Sequence, residues 1–224
     1  MIITNPFDTS KNAVGHKVIA GLAKISLALK SKAWQDAGLQ GLTPTQGQIL
    51  ALLRSRSLSP MRLSEIADGL AVKPATASDA VAVLVEKGLV KKGKAPDDRR
   101  AIAITLTAKG QQQADNAASW PDFLLTAVDQ LSEEETDVFF RGLIKMVRAL
   151  QERGQIPVSK MCVTCRFFRA NIYSDSDRPH HCALVDAPFG DRHLRLECPE
   201  HLAASPEACT EQWQSFSGRI IGPS

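Results

Sequence analysis

The sequence predicts a mainly α-helical protein with one short β-hairpin and a small, irregular, cysteine-rich tail. Three observations predict it. Apolar residues recur at helical spacing in separate runs between Val18 and Leu150, the pattern changes to alternation over AIAITLT, and all five cysteines follow Met161. At 224 residues the chain exceeds the usual single-domain size, so one core domain with an appendage, or two small domains, is expected.

Val18, Ile19, Leu22, Ile25, Leu27 and Leu29 keep helical spacing without a proline, and Gly38 with Gly41 ends this long first helix. Thr43-Pro44 is an N-cap followed by proline at the first helical position, and Ile49, Leu50, Leu52 and Leu53 supply the inward stripe of a second helix. Ser59-Pro60 breaks the chain. RLSEIADGL then reads as a short helix with Leu63, Ile66, Ala67 and Leu70 inward, stopped near Gly69. The following helix starts around Pro74, buries Ala77, Val81, Leu84 and Val85, and ends at Gly88.

Two short helices joined by a tight turn outline a helix-turn-helix, with a plain helical bundle as the alternative. The sequel separates the two. After the Pro96-Asp97-Asp98 turn, Ile102, Ile104 and Leu106 alternate on one face, so a basic-tipped hairpin follows the second helix directly. That combination is a winged helix, in which the helix would lie in a major groove and Arg99 or Arg100 would reach a minor groove. Further on, Thr107 caps a helix, Pro121 interrupts, and Ser132-Glu133-Glu134-Glu135 forms a capping box. The helix after it carries Val138, Phe139, Leu143, Ile144, Met146, Val147 and Leu150, too many apolar residues for one core-facing stripe. Either a partner subunit or the cysteine-bearing tail must cover the rest.

Charge distribution agrees with a local nucleic-acid surface without proving one. The net charge is only +3, yet Thr43–Thr107 holds ten Lys and Arg against six Asp and Glu, with Lys87, Lys91, Lys92, Lys94, Arg99 and Arg100 in one span. No long apolar run suggests a secretion signal or a membrane span, which reads as a cytoplasmic protein. In that compartment a late group of thiols points to metal or redox chemistry rather than to disulfides.

The run LSEIADGLAVKPATASDAVAVLVEKGLVKKGKAPDDRRAIAITLTAKG resembles the winged helix-turn-helix of the MarR family of bacterial transcriptional regulators. The likeness rests on Leu-x-x-Lys-Gly-Leu-Val at the end of the recognition helix, Asp-x-Arg in the wing and Leu-Thr-x-x-Gly opening the next helix, and it extends over roughly Val14 to Arg153. The resemblance implies dimerisation through residues 1–42 and 107–156, a DNA-binding domain over 43–106, and double-stranded DNA with a near-palindromic operator as partner. A small-molecule effector is a further partner it suggests. It places Lys73, Pro74, Ala75, Thr76, Ser78 and Asp79 at the DNA-facing start of the recognition helix, and Lys94, Asp98, Arg99 and Arg100 in the wing. Asp79 departs from the basic or neutral polar residue usual there, which bears on which operator is read.

Residues 157–224 fall outside that pattern. MCVTCRFFRANIYSDSDRPHHCALVDAPFGDRHLRLECPEH spaces Cys162, Cys165, Cys182 and Cys198 as C-x2-C, x16, C, x15, C. This spacing, Arg-Phe-Phe after the second cysteine and Cys-x-Leu at the third resemble the cluster loop of high-potential iron-sulfur proteins. The resemblance implies an iron-sulfur cluster, with 4Fe-4S favoured and zinc as the alternative. His180, His181, His193 and His201 are substitute ligands at best, exposed loop histidines being commoner, and Cys209 reads as a spare.

The expected function is a homodimeric DNA-binding regulator, with repression favoured, whose metal module senses redox or iron status. A regulator with a structural zinc tail, or an electron-transfer protein on a regulator-like scaffold, are the alternatives. The chain carries no Ser/His/Asp array, P-loop or dinucleotide fingerprint, so it is not read as an enzyme.

Overall fold

The computed structural model describes residues 10–56, 59–94 and 102–218. These residues form two compact units, one of 10–62 and 77–124, the other of 63–76 and 125–218. No described helix is long and apolar enough to cross a membrane.

In the first unit, helix α1 runs over Lys11–Leu39 and α2 over Pro44–Ser55. The start of α2 is set by local chemistry. Thr43 Oγ1 accepts from the Gln46 N–H while the Gln46 side chain accepts from the Thr43 N–H, and Pro44 occupies a position whose N–H would have no helical partner. Ile49, Leu50 and Leu53 are buried, and Leu52 is half-buried. Strand β1 is the two-residue Met61–Arg62, too short to leave a sequence signal. It pairs antiparallel with β3 (Ile102–Leu106), and β3 pairs with β2 (Val90–Lys94), so the sheet order is β1-β3-β2.

The predicted alternation in β3 holds only in part. Ile104 and Leu106 are buried, but so is Ala103, while Ile102 is 58% exposed. Ile102 pairs with Lys94 at the far end of the ladder, beyond the residues that form the core. Helix α4 (Pro74–Glu86) starts where expected and differs at one inward position, burying Ala77, Ala80, Val81 and Leu84 and leaving Val85 exposed. The helix faces its core with an i, i+3, i+4, i+7 stripe that Ala80 completes.

The junction of hairpin and next helix explains Leu-Thr-x-x-Gly. Thr107 Oγ1 caps α5 (Ala108–Ala118) by accepting from the Gly110 N–H at 3.0 Å, and it donates to the Gly88 carbonyl at 2.7 Å. At Gly110 any Cβ would lie 1.8 Å from the Leu89 carbonyl oxygen. Helix α5 packs on α2, and the chain then turns through a 3₁₀ segment, Trp120–Leu124, that contains Pro121 and buries Trp120.

In the second unit, α3 (Leu63–Gly69) buries Ile66 and Ala67 and closes with the Val72 N–H on the Ala67 carbonyl. Its left-handed closing residue is Ala71 (φ 51°) rather than a glycine. A short α6 (Leu125–Val128) precedes α7 (Glu133–Glu152), which starts with the reciprocal Ser132–Glu135 capping box. The tail then folds as a small antiparallel sheet of β4 (Phe168–Arg169), β5 (His180–Cys182) and β6 (Ala187–Phe189), followed by α8 (Pro206–Gly218). Its core of Met161, Val163, Phe168, Leu194 and Phe216 is shared with Ile144 of α7.

Both covers expected for α7 therefore have a surface to act on. Ile144, with Phe140 and Val147, packs against the tail, whereas Val138, Phe139, Met146 and Leu150 stay exposed.

Gly110→Ala should lower stability by about 2 kcal/mol or more, because the obstructing atom is backbone and cannot swing away. Ala71→Gly should raise it by on the order of 0.5 to 1 kcal/mol by relieving the left-handed alanine. Urea titrations of the two variants beside the parent check both signs.

Candidate nucleic-acid interface and cysteine site

A four-residue turn, Leu70–Lys73, joins α3 to α4, and Pro74 at the first position lets α4 begin without an unsatisfied N–H. Lys73, Pro74, Ala75, Thr76, Ser78 and Asp79 are all exposed. The buried stripe of α4 takes Ala77, Ala80, Val81 and Leu84, so the other side of its first turn keeps small and hydroxyl side chains that permit close approach. On β2, Lys91, Lys92 and Lys94 are exposed. Asp98, Arg99 and Arg100 lie outside the described residues. Exposed lysine and hydroxyl groups of this kind can bond phosphates, and Ala75 and Thr76 can touch base edges.

The cysteine site is assembled from three segments of the tail. Cys162 and Cys165 bracket a 3₁₀ turn in which the Cys165 N–H donates to the Cys162 carbonyl at 2.9 Å. Cys182 ends β5, opposite Phe168. Cys198 sits in a loop fastened by its own N–H to the Lys160 carbonyl at 2.9 Å. All four line one cavity of about 210 Å³, whose wall is otherwise mainly apolar, with Phe167, Phe168, Leu184, Val185 and Phe189. Burial pushes the Cys162 thiol up, the Arg195 N–H donating to its sulfur at 3.2 Å pulls it back, and Cys198, Cys165 and Cys182 push it up again. The other three sulfurs thus stand within electrostatic reach of Cys162. All five cysteines are free thiols, and Cys209, half-buried on α8, is not part of the cavity wall.

The histidines do not behave as one class of loop residue. His180 is fully buried, its Nδ1 accepting from the Asn171 N–H at 3.1 Å and its Nε2 lying 2.6 Å from Asp191 Oδ1. The ring proton therefore sits on Nε2 and is donated to the carboxylate. His181 contacts Tyr173 and Asp186, His193 is exposed on the cavity wall, and His201 bonds Thr164.

Two arginines of α7 are buried without any local sequence signal for it. Arg141 is 4% exposed and donates to Asp191 Oδ2 at 2.9 Å and to the Phe216 carbonyl, with its guanidinium 4.1 Å above the Phe216 ring. Arg148 is 6% exposed, donates to the Val163 carbonyl at 3.3 Å and to Glu152 at 2.8 Å, and covers the Trp213 ring at 4.2 Å. Burial acts to push the Asp191 carboxyl up, but the His180 hydrogen bond and the Arg141 charge together hold it below the ordinary carboxylate range.

The MarR family pattern matches residues 40–101. The transcriptional regulator ZitR of Lactococcus lactis subsp. cremoris (strain MG1363) is 31% identical over 111 residues, which are 50% of this chain and 74% of ZitR. The chain belongs to the MarR family. It is a MarR-family winged-helix transcriptional regulator with a mainly helical fold. Among solved structures, MepR of S. aureus in its DNA-binding conformation is 29% identical with a TM-score of 0.53, covering 59% of this chain and 98% of MepR. The MepR–DNA complex is 29% identical with a TM-score of 0.50, covering 58% and 94%. These MarR-family relatives are matched over most of their own length, and a large remainder of this chain has no counterpart in them.

Arg141→Met should destabilise the protein by roughly 3 to 5 kcal/mol, because Asp191 is left charged beside a neutral imidazole. The Asp191 contribution has a defined pH window. A carboxyl held low in the folded state stabilises above its unfolded value near 4 and ceases to do so as pH falls through the lower folded value. Thermal melts from pH 7 to 3 should therefore lose stability below about pH 4 in the parent and less steeply in Asp191→Asn.

Proposed function

We propose that this MarR-family regulator binds a near-palindromic duplex as a homodimer. We further propose that its C-terminal module holds a 4Fe-4S cluster on Cys162, Cys165, Cys182 and Cys198 through which it responds to redox or iron status. The cluster reading is carried by one cavity that all four thiols border. This cavity has a volume of about 210 Å³, and its other walls are mainly apolar. An iron-sulfur cluster takes its cysteines at its outer corners and suits an all-thiolate, apolar-walled donor set. Bound there, it would supply a one-electron couple and a target for oxidants. Phe167, Phe168 and Phe189 restrict water at the cavity, and the 3₁₀ turn holds Cys162 and Cys165 side by side.

The DNA reading is supported by the exposed start of α4 and by the lysines of β2. Lys73 and Lys94 offer charge to phosphates, Thr76 and Ser78 offer hydroxyls, and Ala75 suits a thymine methyl. In the wing, Asp98 would orient Arg99 or Arg100 toward a narrow minor groove. Dimerisation is supported by unpartnered apolar faces on both candidate helices. Val18, Ile19 and Leu27 of α1 are 48%, 62% and 67% exposed, and Val138 and Phe139 of α7 are 56% and 44% exposed. An effector would find room in a second cavity of about 410 Å³ lined by Leu29, Trp34, Gln48 and Trp120.

Selection from random duplexes should return a two-fold half-site. Arg100→Ala should weaken binding to it, and Lys94→Ala should reduce the slope of log affinity against log salt by about 0.9 if that lysine contacts one phosphate. A monomer that stays monomeric on DNA, or a selection without an enriched half-site, rejects this reading.

Serine at any one of Cys162, Cys165, Cys182 or Cys198 should abolish the visible absorption and the bound iron and sulfide of anaerobically purified protein. Cys209→Ser should retain both. Removing the cluster should change operator affinity by on the order of 1 to 3 kcal/mol. A colourless protein carrying one zinc per chain would reject the cluster, and a coloured one whose DNA binding ignores cluster loss would reject the sensor.

A further inference from the structure

Of the groups around the cysteine cavity, Arg195 is placed to act on two of its sulfurs at once. Its backbone N–H donates to Cys162 Sγ at 3.2 Å, and its guanidinium Nη1 lies 3.9 Å from Cys198 Sγ. Its carbonyl in turn accepts from the Cys162 N–H at 3.0 Å, so residue 195 and Cys162 hold each other by a reciprocal pair of backbone contacts. The position is fixed from behind by Leu194, which is 5% exposed in the module core and whose N–H donates to the Asp191 carbonyl. The guanidinium itself faces solvent, so it carries a full positive charge to the cavity wall with little burial of its own. Glu200 and His193 also border the cavity, but neither donates a hydrogen bond to a cysteine sulfur among the described contacts.

We propose that Arg195 is the tuning residue of this site, raising the reduction potential of the group the four cysteines hold; the proposal rests on the cluster reading. A thiolate sulfur that accepts a hydrogen bond donates less electron density to the iron it ligates. A positive charge nearby also favours the state that carries one more electron. Both effects favour the reduced form, and hydrogen bonds to sulfur and local net charge are the levers that set such potentials. The backbone donor survives any substitution at 195, whereas the guanidinium does not, so side-chain variants isolate the charge from the scaffold. Arg195 touches no reacting ligand atom other than sulfur and acts through Cys162 and Cys198.

The experiment is an anaerobic dithionite titration, with redox mediators, of the full-length protein reconstituted with iron and sulfide, following the visible absorption as the cluster takes up one electron. Arg195→Leu should lower the midpoint. At the parent's midpoint, where oxidised and reduced forms are equal, the oxidised form of the variant should exceed the reduced form by about tenfold, which for one electron is a shift of about 59 mV. Arg195→Lys keeps the charge but loses the planar fork, and its midpoint should fall between the two. If Arg195→Leu does not retain a cluster, Arg195→Gln replaces it, with the same downward direction expected. Midpoints of Leu, Gln and Lys variants equal to the parent's overturn the proposal while leaving the cluster reading intact. A parent protein that takes up no iron and sulfide overturns both.

Discussion

Two guanidinium groups held out of water on one helix organise everything that follows residue 152. Arg141 and Arg148 lie two turns apart on α7, nearly on one face; the tail supplies Arg141 with a carboxylate and a carbonyl, and Arg148 divides its donors between Glu152 of its own helix and the tail. Arg141 reaches Asp191 and the Phe216 carbonyl, and Arg148 reaches the Val163 carbonyl. The aromatic rings of Phe216 and Trp213 cover the same two groups from the side. A buried arginine is costly unless its donors are met and its charge is opposed, so the tail cannot leave α7 without exposing Phe216 and stranding Asp191. The small sheet of two- and three-residue strands would be marginal alone, and it gains its core by sharing Ile144.

The same two side chains run close to the cysteines. Arg148 holds the carbonyl of Val163, between Cys162 and Cys165, and Arg141 holds Asp191, which receives the His180 proton two residues before Cys182. Gly190 permits this because the Asp177 carbonyl lies where its Cβ would be, at 2.1 Å, and any side chain there would push Asp191 off its partners. Two of the three cysteine-bearing segments are therefore positioned by α7 itself. The third, around Cys198, hangs on Lys160 and on Arg195, and the Cys162 N–H bond to the Arg195 carbonyl joins it to the first.

What was legible in the sequence was chemistry confined to a few neighbouring residues. The Thr43, Thr107 and Ser132 caps, the start of α4 at Pro74 and the spacing of the first four cysteines are local, and each stands where the residues alone placed it. Side chains whose fate depends on distant segments were not legible. Val85 was read inward because it is apolar, but the helix completes its stripe with Ala80. His180 was read as an exposed loop residue, since neither Asn171 nor Asp191 announces itself as its partner. Arg141 and Arg148 look like ordinary helix-surface cations, because Asp191, Phe216, Val163 and Trp213, which bury them, lie well outside α7 in the sequence. Arg195 was invisible for a further reason, because half of what it does is done by a backbone N–H that every residue except proline possesses.

The cavity has an electrostatic consequence that bears on why four thiols would be gathered in so small a module. Burial and the three neighbouring cysteines all push the Cys162 thiol toward its protonated form, and only the Arg195 N–H opposes them. Under the proposed reading Cys162, Cys165, Cys182 and Cys198 would hold a cluster whose positive charge offsets that of their sulfurs, which would link occupancy to the closure of the three segments. Because two of those segments are fastened to α7 through Arg141 and Arg148, any such closure is felt at a helix whose opposite face, Val138, Phe139, Met146 and Leu150, is still open to a partner. Under the same reading a change of charge at the cysteines would reach that face through the buried contacts of Arg141 and Arg148 rather than through a flexible linker.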